Sequence, residues 1–208
     1  MKTQQIAIIL SIFAIILTSC SNQSRLLANI DSYIQTYPDS AYTELKKYKE
    51  SDFTSRKNRA KYCTLYATAL DKNYNDTSKF LDTLISYKNY YAHHGSKRDR
   101  MLYNFYLGDQ MSDSGMPESA ITYFSEALKY AITIQDWFYC GIISQWISIL
   151  YAKQYNYNQQ LEYAEKACYY LKKTDKLGHL GDSRIKLAIA YMCKGRTKES
   201  LDLIRRTY

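Results

Sequence analysis

The chain has 208 residues, enough for a sizeable hydrophobic core in one or two domains. It contains 23 Tyr but only 2 Pro and 7 Gly, which fits neither an all-β chain with many tight turns nor a disordered chain. The formal net charge is +8, but bases and acids are interspersed, so no nucleic-acid surface is expected. The densest basic stretch, 46–61, is interpreted as a solvated helix face, with a functional patch as the alternative.

The first twenty residues have the features of an export signal. Lys2 precedes an apolar run, 6–17, that is too short to span a bilayer, which requires about 20 helical residues. Leu17-Thr18-Ser19-Cys20 then places two small residues before a cysteine. This segment resembles the lipobox of bacterial lipoproteins, in which the cysteine thiol receives a diacylglyceryl group and becomes the first residue after cleavage.

The resemblance implies a lipoprotein signal peptide over residues 1–19 and a membrane anchor of acyl chains, such as palmitate, on Cys20. Residues 21–24 contain no acidic run and no Asp directly after the cysteine. This favours an outer-membrane anchor that faces the periplasm of the cell envelope. The alternative is an ordinary signal peptide that happens to end before a cysteine.

Apolar periodicity predicts helices along the rest of the chain, with no linker between them. Gly115 is expected to end one helix, and Pro117 to lie in the first turn of the next. The predicted helices span residues 24–36, 38–49, 55–73, 77–93, 97–113, 117–133, 136–154, 158–173, 179–194 and 197–207.

The sequence also repeats with a period of forty residues. Small residues recur forty apart, each after an apolar residue, at Thr68, Gly108, Ser148 and Ala188. A second set trails it by about a dozen residues, at positions 80, 120, 160 and 200, each followed by an apolar residue. This spacing predicts antiparallel helix pairs in which the small residue lets two backbones approach. One pair cannot bury its apolar stripe alone, so neighbouring pairs are expected to stack.

The unit at residues 97–134 resembles the tetratricopeptide repeat (TPR). Leu107-Gly108, Ala120, Phe124 and Ala127 supply the Leu-Gly, Ala, Phe and Ala of that family in register. The resemblance is fair over 137–208 and weak before residue 95, and the period of 40 exceeds the usual 34. It implies that residues 20–208 form an all-α, right-handed superhelix of about five antiparallel hairpins.

In TPR proteins the first helix of each hairpin lines a concave groove that binds a protein or peptide. The forty-residue register places the candidate groove residues at Tyr66, Phe105, Tyr106, Asp109, Gln145, Trp146, Ile149 and Lys186. Tyrosine suits a groove because its ring packs while its hydroxyl stays hydrated, but the same property suits packing between hairpins. The residues with which some TPRs clamp a peptide carboxylate are not matched here.

No motif indicates catalysis, a cofactor or a metal site. A phosphate-binding glycine loop, HExxH and a nucleophile elbow are all missing, and Gly178-His179-Leu180-Gly181 is interpreted as a connector. His93 and His94 project about 100° apart on a helix and cannot chelate one ion well. Four further cysteines are expected to be small buried side chains, with disulfide pairing as the alternative: Cys63, Cys140, Cys168 and Cys193.

The sequence therefore predicts a non-enzymatic, lipid-anchored TPR scaffold that binds a protein or peptide partner in the cell envelope. One alternative is the sensory region of a membrane-associated signalling regulator. A second alternative is a glycan-binding outer-membrane lipoprotein. The final helix, 197–207, is either its own polar cap or the end of a shortened chain.

Overall fold

The computed structural model describes residues 21–75 and 80–206. Within these ranges every regular element is a helix, which confirms the predicted all-α class. The chain divides into two compact units, the first ending at His93 and the second beginning at His94. Residues 1–19, predicted to be a signal peptide, and Cys20, the predicted lipidation site, lie outside the described residues.

Unit 1 holds short and irregular helices around an aromatic core. Phe53 is fully buried, and its ring centroid lies 4.9 Å from that of Tyr62 and 5.9 Å from that of Tyr48. A Lys61–Asp31 ion pair of 2.7 Å joins its first and third helices. The elements in chain order are α1 (helical residues 21–33), α2 (Pro38–Leu45), a 3-10 turn (Glu50–Asp52), α3 (Arg56–Lys72), α4 (Leu81–Ser86) and α5 (Lys88–His93).

Three helices predicted in unit 1 are wrong in extent. The helix predicted over 24–36 ends at residue 33, where a turn follows. The helix predicted over 77–93 is interrupted at Tyr87, whose φ of −95° and ψ of 4° leave the helical conformation. The Tyr87 ring is buried, and its hydroxyl donates a hydrogen bond to the Glu50 carboxylate in the 3-10 turn. The helix predicted over 38–49 stops at Leu45 because the chain turns there toward this 3-10 segment.

Unit 2 is far more regular. Its six helices begin at intervals of twenty residues. The predictions of 97–113 and 117–133 are confirmed at both ends, and the other starts lie within two residues of the predicted ones. In chain order the helices are α6 (Lys97–Asp113), α7 (Pro117–Thr133), α8 (Trp137–Lys153), α9 (Tyr157–Leu171), α10 (Leu177–Cys193) and α11 (Thr197–Arg205).

One interpretation in unit 2 is wrong. Residues 178–181, taken as a connector, form the first turns of α10. The buried Leu180 anchors this end of the helix against the rest of unit 2. Packing of that side chain offsets the low helix propensity of Gly178 and Gly181.

The twenty-residue interval comes from a turn that occurs four times. One residue in each turn adopts the left-handed conformation, namely Gly115, Gln135, Tyr155 and Gly195, with φ between 57° and 73°. The next N–H donates back to the carbonyl five residues earlier, as from Met116 to Met111 at 2.9 Å and from Asp136 to Ala131 at 3.0 Å. This is the Schellman ending of a helix, and it joins successive helices through three residues.

Small residues bring paired helices together as the sequence predicts. A Cβ added at Gly108 would lie 2.9 Å from the Phe124 ring on α7. In the next pair the Ser148 hydroxyl donates to the carbonyl of residue 160 at 2.8 Å, and in the last the Ser200 hydroxyl donates to the Ala188 carbonyl at 2.8 Å. The two contacts are equivalent, but the hydroxyl comes from the first helix of one pair, α8, and from the second helix of the other, α11.

Gly141→Ala tests the closeness of the contact between α8 and α9. The new Cβ would lie 2.4 Å from Cγ of the fully buried Leu171, so overpacking should lower the free energy of unfolding by about 1–3 kcal/mol. Gly181→Ala is the matched control, because its Cβ would meet nothing within 4 Å and alanine favours the helix by roughly 0.5–1 kcal/mol. Denaturant unfolding followed by circular dichroism measures both; equal effects of the two changes would contradict the packing.

Candidate functional site

The eight predicted groove residues are divided between the two units. Tyr66 lies on α3 of unit 1, and the remaining residues lie on α6, α8 and α10 of unit 2. Their exposure differs widely, from a ring that is almost inaccessible to side chains that are half-buried. Their binding role stays a prediction, and the geometry separates those that could reach a partner from those enclosed in packing.

Tyr66 belongs to the aromatic cluster of unit 1. Its ring stacks on Phe80, with centroids 5.0 Å apart and planes at 17°. The rings of Tyr62 and Tyr42 lie 5.6 Å and 6.0 Å away. Burial, followed by the neighbouring Tyr42 hydroxyl, raises the pKa of Tyr66 above its usual range. The half-buried ring therefore joins α2 and α3 to the residue that precedes α4.

The candidates on α6 lie in the core of unit 2. Phe105 and Tyr106 are 6% and 2% exposed. The Phe105 ring contacts Tyr139 on α8 at 5.6 Å and Phe124 on α7 at 5.7 Å, so it holds three helices together. Asp109, one turn further along α6, is also buried. These three side chains pack in the core of unit 2 and offer little accessible area to a partner.

The candidates on α8 combine accessible apolar area with a buried polar group. Gln145, Trp146 and Ile149 lie within an arc of about 100° on the helix, and together they are called the α8 surface below. Trp146 and Ile149 are half-buried, and the Trp146 ring stacks on Phe124 at 6.4 Å and 11°. Lys186, forty residues after Trp146, is half-buried on α10.

The Gln145 amide is the unusual group of the α8 surface. The side chain is 9% exposed, and within the described residues its Nε2 makes no hydrogen bond. A buried donor without an acceptor costs about 1–3 kcal/mol, and folded proteins leave few of them. A carbonyl or carboxylate brought by a ligand would supply the acceptor.

A second aromatic group, which the repeat register does not indicate, lies where α8 begins and α9 ends. The Lys173 Nζ sits 4.1 Å from the Trp137 ring centroid and 4.2 Å from that of Tyr169. The Trp137 and Tyr170 rings are parallel, 6.0 Å apart. Because a cation of the chain already lies over these rings, the cluster ties α8 to α9 through cation–π contacts.

The four cysteines among the described residues are free thiols in different surroundings. Cys63 and Cys140 are buried, and burial raises the pKa of both thiols, that of Cys140 to about 12. Cys168 is half-buried, and its sulfur lies 3.3 Å from the Ser183 hydroxyl. The prediction of four buried cysteines is wrong for Cys193, which is the last residue of α10 and is exposed.

The described residues contain neither a cluster of metal ligands nor a membrane-spanning helix. Across residues 21–75 and 80–206, no three His, Cys, Asp or Glu side chains are grouped closely enough to hold a metal ion. Within the same part of the chain, no helix combines the length and apolar content needed to cross a bilayer.

Solved structures with TPR-like repeats share this fold. BtubC from P. vanneervenii superposes with a TM-score of 0.62 at 11% identity, covering 92% of this chain and 89% of that one. A putative kinesin light chain from Podospora anserina, described as having nearly identical TPR-like repeats, gives 0.63 at 14% identity, covering 90% and 94%.

A third similar structure is much longer. It is a signal transduction ATPase with numerous domains and a tetratricopeptide repeat sensor from Pyrococcus horikoshii, with a TM-score of 0.63 and 19% identity. The alignment covers 90% of this chain and 30% of that one. No protein-family model and no curated protein matches the sequence. At these identities the similarities establish the TPR-like fold.

Gln145→Leu should stabilise the protein. Leucine has a similar volume and removes the donor that lacks an acceptor, so the free energy of unfolding should rise by about 1 kcal/mol or more. Gln154→Leu is the matched control, because the Gln154 Nε2 already donates to Glu118 at 3.2 Å and its loss should give no gain. Denaturant unfolding measures both, and a destabilised Gln145→Leu variant would show that the amide is satisfied within the fold.

Proposed function

We propose that this chain is a non-enzymatic scaffold that binds a protein or peptide partner on the α8 surface. The TPR-like pairing of helices supports this, because such helices present fixed side chains along one face. The observation that carries the proposal is the Gln145 Nε2, which is buried beside the half-buried Trp146 and has no hydrogen-bond acceptor among the described residues. A backbone carbonyl of the partner would accept a hydrogen bond from Gln145, while apolar side chains of the partner cover Trp146 and Ile149.

The binding mechanism would be preorganisation. Stacking on Phe124 fixes the plane of the Trp146 ring, and the turns fix the helices, so little side-chain entropy is lost on binding. Burial of apolar area would contribute about 25 cal/mol per Å² before these costs. Lys186 on α10 would favour a partner that places an acidic residue next to its ammonium group.

We also propose that the scaffold is anchored in the cell envelope through Cys20, after removal of residues 1–19 and with 20–208 as the mature chain. The support is the sequence of residues 1–20, in which a basic start, a short apolar run and two small residues precede the cysteine. Several acyl chains, at about 0.8 kcal/mol per buried CH₂, would make the attachment long-lived. The first described residue, 21, is already helical, so the scaffold would lie close to the membrane. An outer membrane facing the periplasm is the location we favour.

A role in signalling is the second candidate. It is favoured by the fold shared with a signal transduction ATPase that carries a TPR sensor. In that case partner binding on the α8 surface would change the state of an associated output protein. Both candidates use the same surface, and they differ in whether occupancy alters a downstream activity.

Trp146→Ala should abolish partner capture. We expect crosslinking in cells, purification through a C-terminal tag and mass spectrometry to recover a membrane-associated protein that is reduced at least about tenfold for this variant. Tyr169→Ala is the control, because Tyr169 is an equally large but exposed ring outside the α8 surface. Equal recovery from both variants would exclude the α8 surface as the binding site.

Cys20→Ala tests the anchor. A clickable fatty-acid analogue should label the native chain and leave the variant unlabelled, and the variant should move from the membrane fraction to the soluble fraction or remain as uncleaved precursor. Cys193→Ala is the control, because its thiol is exposed but far from the lipobox in sequence. Label retained by Cys20→Ala would refute acylation at this cysteine.

A further inference from the structure

Large apolar side chains are exposed on the last two helices of unit 2. On α10 they recur at intervals of four and three residues, which places them on one face. On α11 two more are three residues apart. These five residues are called the terminal stripe below, with exposed fractions of 37–59%: Ile185, Ile189, Met192, Leu201 and Ile204.

The preceding helix pair shows what normally covers such positions. Leu161 and Ala164 of α9 pack against Leu187 and Ala190 of α10. Leu201 and Ile204 stand forty residues after the first two, at equivalent positions of α11, and in the described structure they are exposed. The terminal stripe is therefore continuous with an established helix–helix interface and has the same chemistry.

The equivalence extends to the first helix of each pair. Ile185 and Ile189 of α10 stand forty residues after Gln145 and Ile149 of α8. Gln145 is buried and Ile149 is half-buried, whereas Ile189 is 50% exposed. Both helices of the last pair thus expose more of this face than the earlier pair does.

Charge around the terminal stripe indicates which helix would cover it. Residues 177–206 contain seven Lys or Arg and three Asp or Glu, an excess of four positive charges. Arg196 is paired with Glu199 at 3.0 Å, and its guanidinium lies 4.5 Å from the Tyr191 ring centroid. A second copy of this chain would bring the same excess and be repelled, whereas an acidic segment would be attracted.

We propose that the terminal stripe docks one acidic amphipathic helix of a partner protein. Its apolar face would carry Leu and Ala in the pattern with which α10 meets α9, and its flanks would carry Glu or Asp. Exposed apolar residues with a basic rim are the complement of such a helix. This site shares no residue with the α8 surface, and the proposal stands whether or not Trp146 contacts a partner.

A synthetic peptide tests the proposal on the full chain in uncharged detergent micelles. The fluorescent peptide has the length of α10, copies the apolar pattern of Leu187, Ala190 and Tyr191, and carries Glu elsewhere. Anisotropy should show saturable binding, and Ile189→Glu or Leu201→Glu should weaken it at least about tenfold. Ile132→Glu is the matched control, since Ile132 is an apolar residue of α7 with 42% exposure and its change should leave the affinity intact.

Cys193 provides a second readout because it is exposed and follows Met192 directly. The bound peptide should slow labelling of Cys193 by maleimide, as measured by mass spectrometry of the Cys193 fragment. A peptide with Lys in place of Glu should bind at least about tenfold more weakly, and added salt should weaken the Glu peptide. Trp146→Ala should bind the peptide normally, which separates this test from that of the α8 surface.

Several results would overturn the proposal. One is equal peptide affinity for the native chain and Ile189→Glu, with circular dichroism showing both folded. Another is equal affinity for the Lys peptide. A dimer in sedimentation that Ile189→Glu dissociates would identify a second copy as the occupant, and protection of Cys193 in anionic but not neutral lipid nanodiscs would identify the membrane surface.

Discussion

The regularity of unit 2 depends on one turn in which a single residue takes the left-handed conformation. Gly115 and Gly195 reach it without steric cost, whereas Gln135 and Tyr155 have φ of 57° at a cost of about 1–2 kcal/mol each. Helix packing must offset that cost, because the turn is the same in all four places. These four turns have the same three-residue length, and the longer connection between α9 and α10 follows a correspondingly shorter helix, so each helix starts twenty residues after the last.

Packing and binding compete for the same side chains in this arrangement. The close approach of α6 and α7 at Gly108, together with Tyr139 of α8, encloses Phe105 in the core of unit 2. The aromatic residues that remain accessible are those whose neighbours cover one face only, as Phe124 covers Trp146. A surface of this kind has little freedom to adapt, because the rings beneath it are fixed by their packing.

Local signals account for what could be predicted. Pro117 and Gly115 mark helix ends through their own backbone preferences, and the forty-residue period indicates which helices pair. The break at Tyr87 could not be predicted in this way, because it accompanies a hydrogen bond to Glu50, thirty-seven residues away. The forty-residue register could not predict how exposed each candidate groove residue is, since that depends on which rings from other helices cover the position.

The sequence by itself determined the helical class, the pairing of helices and the positions where small residues let backbones meet. These follow from periodicity and residue size, which act over a few turns of one chain segment. Only the tertiary structure decided that Tyr66 packs in an aromatic cluster, that Phe105 and Tyr106 are core, and that the terminal stripe is exposed. Burial is a property of all the neighbours of a side chain, and those neighbours come from segments that are distant in sequence.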